Sequence, residues 1–266
     1  MIVEQGYHEP QPQPAVMRWR YPIIGAVAVL AAAVGLVLGS VLVTSGAAPL
    51  ARAADYVPAD AVMYFEARLD LPGTQRANLR GLLERFPAAD VDAILGDALA
   101  DTLDEALASG DAPFDYSNDV APWFDGTMAV AFLDYPLNMD PGQPQLPSTL
   151  GLFGVRDAAA ATQLTDTLRA ELESQADATF NSTEHEGTTI WTLDVSEAEL
   201  GMPISGAGFA YAVTDDQLLL ANGREVIVAA LEAQSGDGLA DADEVSQLLD
   251  AVAEQRSGLM VVNSAA

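Results

Sequence analysis

Hydrophobic and polar positions along the chain fall into three regimes. Residues 5–16 (QGYHEPQPQPAV) are rich in Gln and Pro and show no period, a composition too poor in apolar groups to order itself. Residues 21–43 (YPIIGAVAVLAAAVGLVLGSVLV), from Tyr21 to Val43, are apolar and carry no charge. A helix of about 20 residues crosses a hydrocarbon layer of roughly 30 Å, and a helix without a polar face is not the pattern of a soluble one. From about residue 57 the pattern is that of a folded domain, with periods of 2 and 3.6 alternating.

Within that domain, residues 61–69 alternate, with Met63, Phe65, Ala67 and Leu69 on one face and Tyr64, Glu66 and Arg68 on the other. This predicts a half-buried strand, ended by Leu71-Pro72-Gly73. Leu79, Leu82, Leu83 and Phe86 follow helical spacing. A second helix from about Val91 turns Ile94, Leu95, Ala98 and Leu99 inward and Asp92, Asp97 and Asp101 outward, until Gly110 to Pro113. Residues 127–133 are apolar on both faces, which predicts an interior strand. A Pro/Gly/Gln loop precedes a strand over 150–155 and a helix from Asp157, with Ala161, Leu164, Leu168 and Leu172 in register. Strands over 179–184 and 188–195 turn at Glu186-Gly187, and 208–213 with 217–221 form a hairpin around Asp215-Asp216. A helix covers 224–234. Asp241-x-x-Glu244 then resembles a capping box ahead of a helix bearing Val245, Leu248, Leu249 and Val252. Residues 259–262 read as a strand. Strand pairs adjacent in sequence favour an α+β fold, a mixed or antiparallel sheet packed by helices, over a doubly wound parallel sheet. A strand-then-helix start recurs at Ala61, Leu150 and Leu259, which hints at internal duplication. A final strand without continuation suggests truncation at the C-terminus.

Charge sharpens the topology. The net charge is −28. Glu4 and Glu9 balance Arg18 and Arg20 before the apolar segment, so everything after it carries the whole excess. Such a domain repels nucleic acid and anionic headgroups, which excludes nucleic-acid binding. Every basic residue is Arg, from coding bias or a salt-adapted surface. Cysteine is absent, so disulfides, thiol catalysis and cysteine–zinc sites are excluded. Arg18 and Arg20 immediately precede the apolar segment, with Trp19 and Tyr21 at the interface position. The basic flank stays in the cytoplasm. The predicted plan is a disordered cytoplasmic tail (1–20), a transmembrane helix in the plasma membrane (21–43), a small-residue linker (44–56) and an extracytoplasmic acidic domain (57–266). The competing reading is a cleaved signal peptide, since Ala51-Arg52-Ala53 has the small-x-small form of a cleavage site. Against it, the apolar run exceeds the usual length and the candidate site lies several residues past its end. Ala31, Gly35 and Gly39 recur at intervals of four, the spacing of helix pairs that form homodimers, although Ala and Gly are common throughout this segment.

No assembled chemistry stands out, and no catalytic, cofactor or metal residue is assigned. Asp237, Asp241, Asp243 and Glu244 crowd a Gly-rich loop, and oxygen ligands suit calcium. The order of residues is not that of an EF-hand, so a solvated loop and helix cap is the better account. Asp215-Asp216 suits a turn for backbone reasons. His185 is the one histidine besides His8 of the tail. Its neighbours Glu184 and Glu186 point to the other face of a strand, which places it at a strand end beside the turn rather than in a site. Ser205 sits in Gly-flanked loop sequence, with no nucleophile elbow around it. Trp123-Phe124 reads as a core plug where a strand begins, with an exposed partner contact as the alternative. Asn181-Ser182-Thr183 has the glycosylation form and is read as incidental.

Three stretches carry a family resemblance: Tyr56-Val57-Pro58-Ala59-Asp60-Ala61-Val62, Arg68-Leu69-Asp70-Leu71-Pro72-Gly73 and Gln75-Arg76-Ala77-Asn78-Leu79. With residues 119–126 (DVAPWFDG), the Met128 to Phe132 strand and the N-terminal apolar segment, they resemble the domain-of-unknown-function 3352 family of bacterial membrane-anchored proteins. The resemblance covers residue 55 to the end. It implies a bacterial envelope location and a longer parent chain, and supplies no activity, cofactor or catalytic residue. The expected function is a non-enzymatic interaction or scaffolding module that contacts an envelope protein partner. The alternative is a divergent carboxylate-dependent hydrolase acting on envelope material, and a third reading is an acidic domain that weakly collects calcium.

Overall fold

In a computed structural model of the chain, the described residues are 52–68, 98–109, 113–134, 146–176, 179–193, 208–243, 245–247 and 258–263, with Gly81 and Arg85. The apolar segment from Tyr21 to Val43, with Ala31, Gly35 and Gly39, lies outside them, as do Ser205, Glu244 and most of 69–97. Among the described residues no helix is long and apolar enough to cross a membrane.

Eight short segments, some alternating as β1 does and some apolar on both faces as β2 is, build one sheet. Its strands are β1 (Met63–Arg68), β2 (Phe124–Phe132), β3 (Thr149–Val155), β4 (Phe180–His185), β5 (Thr188–Leu193), β6 (Phe209–Val213), β7 (Gln217–Ala221) and β8 (Gly258–Val262). The order is β4-β5-β6-β7-β3-β2-β1-β8, and every neighbouring pair is antiparallel. The expected α+β architecture with an antiparallel sheet is the one found. Among the described residues, helices α1 (Arg52–Asp55), α2 (Ala98–Ser109), α3 (Ala158–Ala176) and α4 (Arg224–Glu232) accompany it.

Turn chemistry sets the meander β4-β5-β6-β7. Glu186 (φ 47°) and Gly187 (φ 83°) both take left-handed backbone, which matches the twist of a two-residue hairpin loop. At the next hairpin, Thr214 N–H donates to the Gln217 carbonyl (2.8 Å). The long connection from β3 to β4 is α3, started by Asp157, whose carboxylate accepts the Ala160 N–H (3.1 Å).

Both faces of the sheet are covered. On one, Tyr64, Ala129, Ala131, Leu150, Leu152, Ile190, Ala210, Ala212 and Leu219 pack with Ala53, Ala54, Tyr56 and Val57 from α1 and its exit, and with Val226, Ile227, Ala230 and Leu231 of α4. On the other, Ala67, Met128, Phe153, Val155, Tyr211 and Leu218 pack with Trp123 and with Ala161, Leu164 and Leu172 of α3. Burial of this apolar area, at about 25 cal/mol per Å², is the main stabilising term.

Three expectations are corrected. β1 is not half-buried: Tyr64 and Glu66, assigned to solvent, are 1% and 0% exposed, because the α1 side of the sheet has its own cover. The linker does not extend to residue 56, because Ala53, Ala54 and Tyr56 are in the core. Small residues there serve packing rather than freedom. Asp241 does not cap the helix that follows. It ends a 3-10 turn (Leu239–Asp241), and extended Ala242 precedes helical Asp243. Ala242 also supplies the carbonyl that accepts the Ser246 N–H (2.8 Å). The helix therefore starts one residue later than a box on Asp241 requires.

Candidate functional site

Several groups that sequence reasoning weighed for chemistry tie elements together. Trp123 and Phe124 are each 3% exposed, stacked edge to face at 6.0 Å, and the Trp123 indole N–H donates to the Asp119 carbonyl (2.8 Å). They plug the core where β2 begins. The Arg156 guanidinium donates to the carbonyls of Phe124 and Ala121 beside them. His185 ends β4, and its Nε2 lies 3.7 Å from Glu232 Oε1 at the end of α4. Arg224 Nε donates to Thr183 Oγ1 (2.9 Å) and Ser235 Oγ to Glu186 Oε2 (3.1 Å), so the same hairpin meets α4 at two points and the turn after it at a third. Asn181 is exposed on β4.

Asp216 does more than shape a turn. Tyr56 Oη donates to its Oδ1 (2.6 Å) and lies 3.1 Å from Thr214 Oγ1, joining the exit of α1 to the β6–β7 hairpin. Burial, then the Asp216 carboxylate, pushes the Tyr56 phenol well above its usual pKa. Asp215 is exposed. Asp237 closes a π-helical turn after α4 (Ala233–Asp237), while Asp241 and Asp243 are exposed. Among the described residues no three His, Asp or Glu side chains are placed to hold a metal.

Two arrangements were not visible in the sequence. The Arg169 guanidinium lies 3.7 Å over the Trp191 ring, with Nε donating to Tyr211 Oη (3.1 Å) and a terminal nitrogen to Asp166 (2.6 Å). Burial raises the Tyr211 pKa, and Arg169 partly offsets this. Phe180 and Phe209 meet Tyr211 at 6.2 and 6.1 Å, so the group is a packed aromatic cluster closed by a cation. Glu66, 0% exposed, accepts from Tyr64 Oη (2.6 Å). No local pattern marks a buried carboxylate inside an alternating strand.

Among the described residues, one feature open to solvent is apolar. Met260 and Val262 on β8 are 56% and 52% exposed, and with Leu146 they are the exposed large hydrophobics among the described residues. Register sets Met260 opposite Phe65 and Val262 opposite Met63, and those opposite Val130 and Phe132. Residues spaced by two share a face, so these six side chains form a two-by-three grid, with its four β1 and β2 members half-buried. β8 is the last strand of the sheet among the described residues, so the grid ends at a strand edge.

Among the described residues, an eight-stranded antiparallel sheet with helices packed on both faces and an apolar grid at one edge defines an α+β domain. The match to the family described as a protein of unknown function (DUF3352) spans residues 23–266, and the chain belongs to that family. No curated protein and no solved structure matches it.

Proposed function

We propose that the chain is a single-pass envelope protein, anchored by residues 21–43 with its N-terminus in the cytoplasm, whose exported domain docks a protein partner and performs no catalysis. The observation that carries the docking role is the grid of Met63, Phe65, Val130, Phe132, Met260 and Val262 at the β8 edge. Contiguous exposed apolar surface is costly for a monomer and marks contact sites. A strand edge adds backbone donors and acceptors to it. The anchor is supported by the uncharged length of 21–43 and by Arg18 and Arg20 before it. The family match also begins at residue 23, so the apolar segment belongs to the shared sequence.

The test is site-specific photo-cross-linking in intact membranes, with the probe at Met260 or Val262 and a control probe at exposed Thr167 on α3. The expected result is one recurring protein adduct at 260 and 262 and none at 167. Equal yields at all three positions, or no adduct, refute the docking role.

A further inference from the structure

The small-x-small sequence Ala51-Arg52-Ala53 has the form of a processing site, yet the structure gives its last residue another purpose. Ala53 and Ala54 are 1% and 0% exposed and share a core cluster with Leu150 and Leu152 of β3. Their carbonyls accept the N–H groups of Tyr56 and Val57, both at 3.2 Å. The strand of chain that follows is stitched in three more places. Leu239 N–H donates to the Val57 carbonyl (2.6 Å), Pro58 bridges Gly238, and Tyr56 Oη donates to Asp216. A Cβ on Gly238 would lie 2.6 Å from the Asp55 carbonyl, so glycine is needed there for the two segments to approach. Small size at Ala53 is thereby explained by packing.

Signal peptidases act on an extended chain, so burial in the folded domain does not itself block a cut. It fixes what the cut would leave. Cleavage after Ala53 would remove the carbonyl that Tyr56 uses and place a new α-ammonium on Ala54, a residue that the continuous chain buries in an apolar cluster.

We infer that the chain stays continuous through Ala51-Arg52-Ala53, and that residues 52–58 are the first structural element of the domain. A consequence that rests on the anchored reading above is a short tether, residues 44–51. Eight residues span at most about 28 Å, which holds the α1 side of the domain close to the bilayer.

The experiment uses the full chain with a C-terminal tag, recovered from the membranes of an expressing bacterium. Alkaline carbonate extraction reads anchoring, and peptide mapping reads the N-terminus. A peptide spanning 51–54 in carbonate-resistant membranes is the expected result. The same peptide in a carbonate-soluble chain refutes the anchor and the tether while continuity stands. A mature N-terminus at Ala54 overturns the inference. Limited trypsinolysis of the detergent-solubilised chain checks the structural half. The Arg52–Ala53 bond should be cut on the order of a hundredfold more slowly than the bonds after Arg18 and Arg20, and cutting at equal rates would overturn the role given to residues 52–58.

Discussion

Two glycines in β3 make a matched pair whose substitution should move stability in opposite directions. A Cβ on Gly151 would meet the Leu220 carbonyl and the Phe153 ring at 3.7 Å, ordinary contact distance. Alanine there removes freedom from the unfolded chain without strain, a gain of about 0.4–1 kcal/mol. A Cβ on Gly154 would lie 2.1 Å from Asp125 Oδ1. That carboxylate cannot simply swing away, because Oδ1 accepts the Thr127 N–H (2.7 Å). The bond sits where the β2–β3 register slips between Phe124 and Met128 and Gly126 takes φ 93°. Losing a hydrogen bond to a charged group costs about 1.5–3 kcal/mol. Less the same entropic gain, Gly154→Ala should destabilise by about 1–2 kcal/mol. For a domain of this size 1 kcal/mol moves Tm by roughly 2–4 °C, so the two variants should melt about 3–12 °C apart, on either side of the parent. Thermal unfolding of the full chain in detergent, followed by circular dichroism, reads the difference. Shifts of the same sign would refute the placement of Asp125 against Gly154.

Three further outcomes follow from the core and the ties. Ile227→Ala empties a fully buried position facing the sheet and should cost about 2–5 kcal/mol, read by the same melts. Tyr56→Phe should cost about 1 kcal/mol at neutral pH. The Tyr56 pKa is raised in the folded chain, so its contribution is complete below the unfolded value of about 10 and falls away as pH rises toward the folded one. The Phe variant should therefore lose stability less steeply above pH 10 in alkaline urea titrations. The Asp104 carboxylate accepts Ser117 Oγ–H and the Ser117 and Tyr116 N–H groups, and the Ser117 hydroxyl chiefly holds its pKa down. That contribution is present above the unfolded pKa and lost as pH falls through the folded one, so melts of Asp104→Asn should show a shallower acid-side decline than the parent.

What the sequence made legible was what is decided locally. Glu186-Gly187 and Asp215-Asp216 each announce a hairpin because Gly187 takes left-handed backbone freely and Asp favours turns, and β4 to β7 follow from them. Residues 127–133 announce an interior strand because both faces are apolar, and β2 lies between β1 and β3. The part that escaped depends on distant chain. Glu66 looked like the polar side of a strand, and its burial is decided by the cover on that face, with α1 and α4 contributing from either end of the domain. The apolar grid exists only once β8 pairs with β1 across nearly 200 residues of sequence, and no window of a dozen residues contains it. Ala53 and Ala54 read as tether because small residues look the same in a flexible link and in a tight contact.

The charge distribution gives the proposed docking role a consequence of its own. The domain carries essentially all of the −28 net charge, so any macromolecule approaching the β8 edge does so through a negative field. Apolar grids supply affinity at close range, while long-range charge sets which partners arrive and how fast. A partner that fits Met260 and Val262 must therefore present a basic rim around an apolar centre, and its association should slow as salt screens the field over a Debye length of about 10 Å at 0.1 M. Cross-linking yield at residues 260 and 262 should then fall when ionic strength is raised from low to physiological values while the site of the adduct on the partner stays the same. A yield indifferent to salt would mean that the acidity serves solubility alone, and that the grid selects its partner by shape.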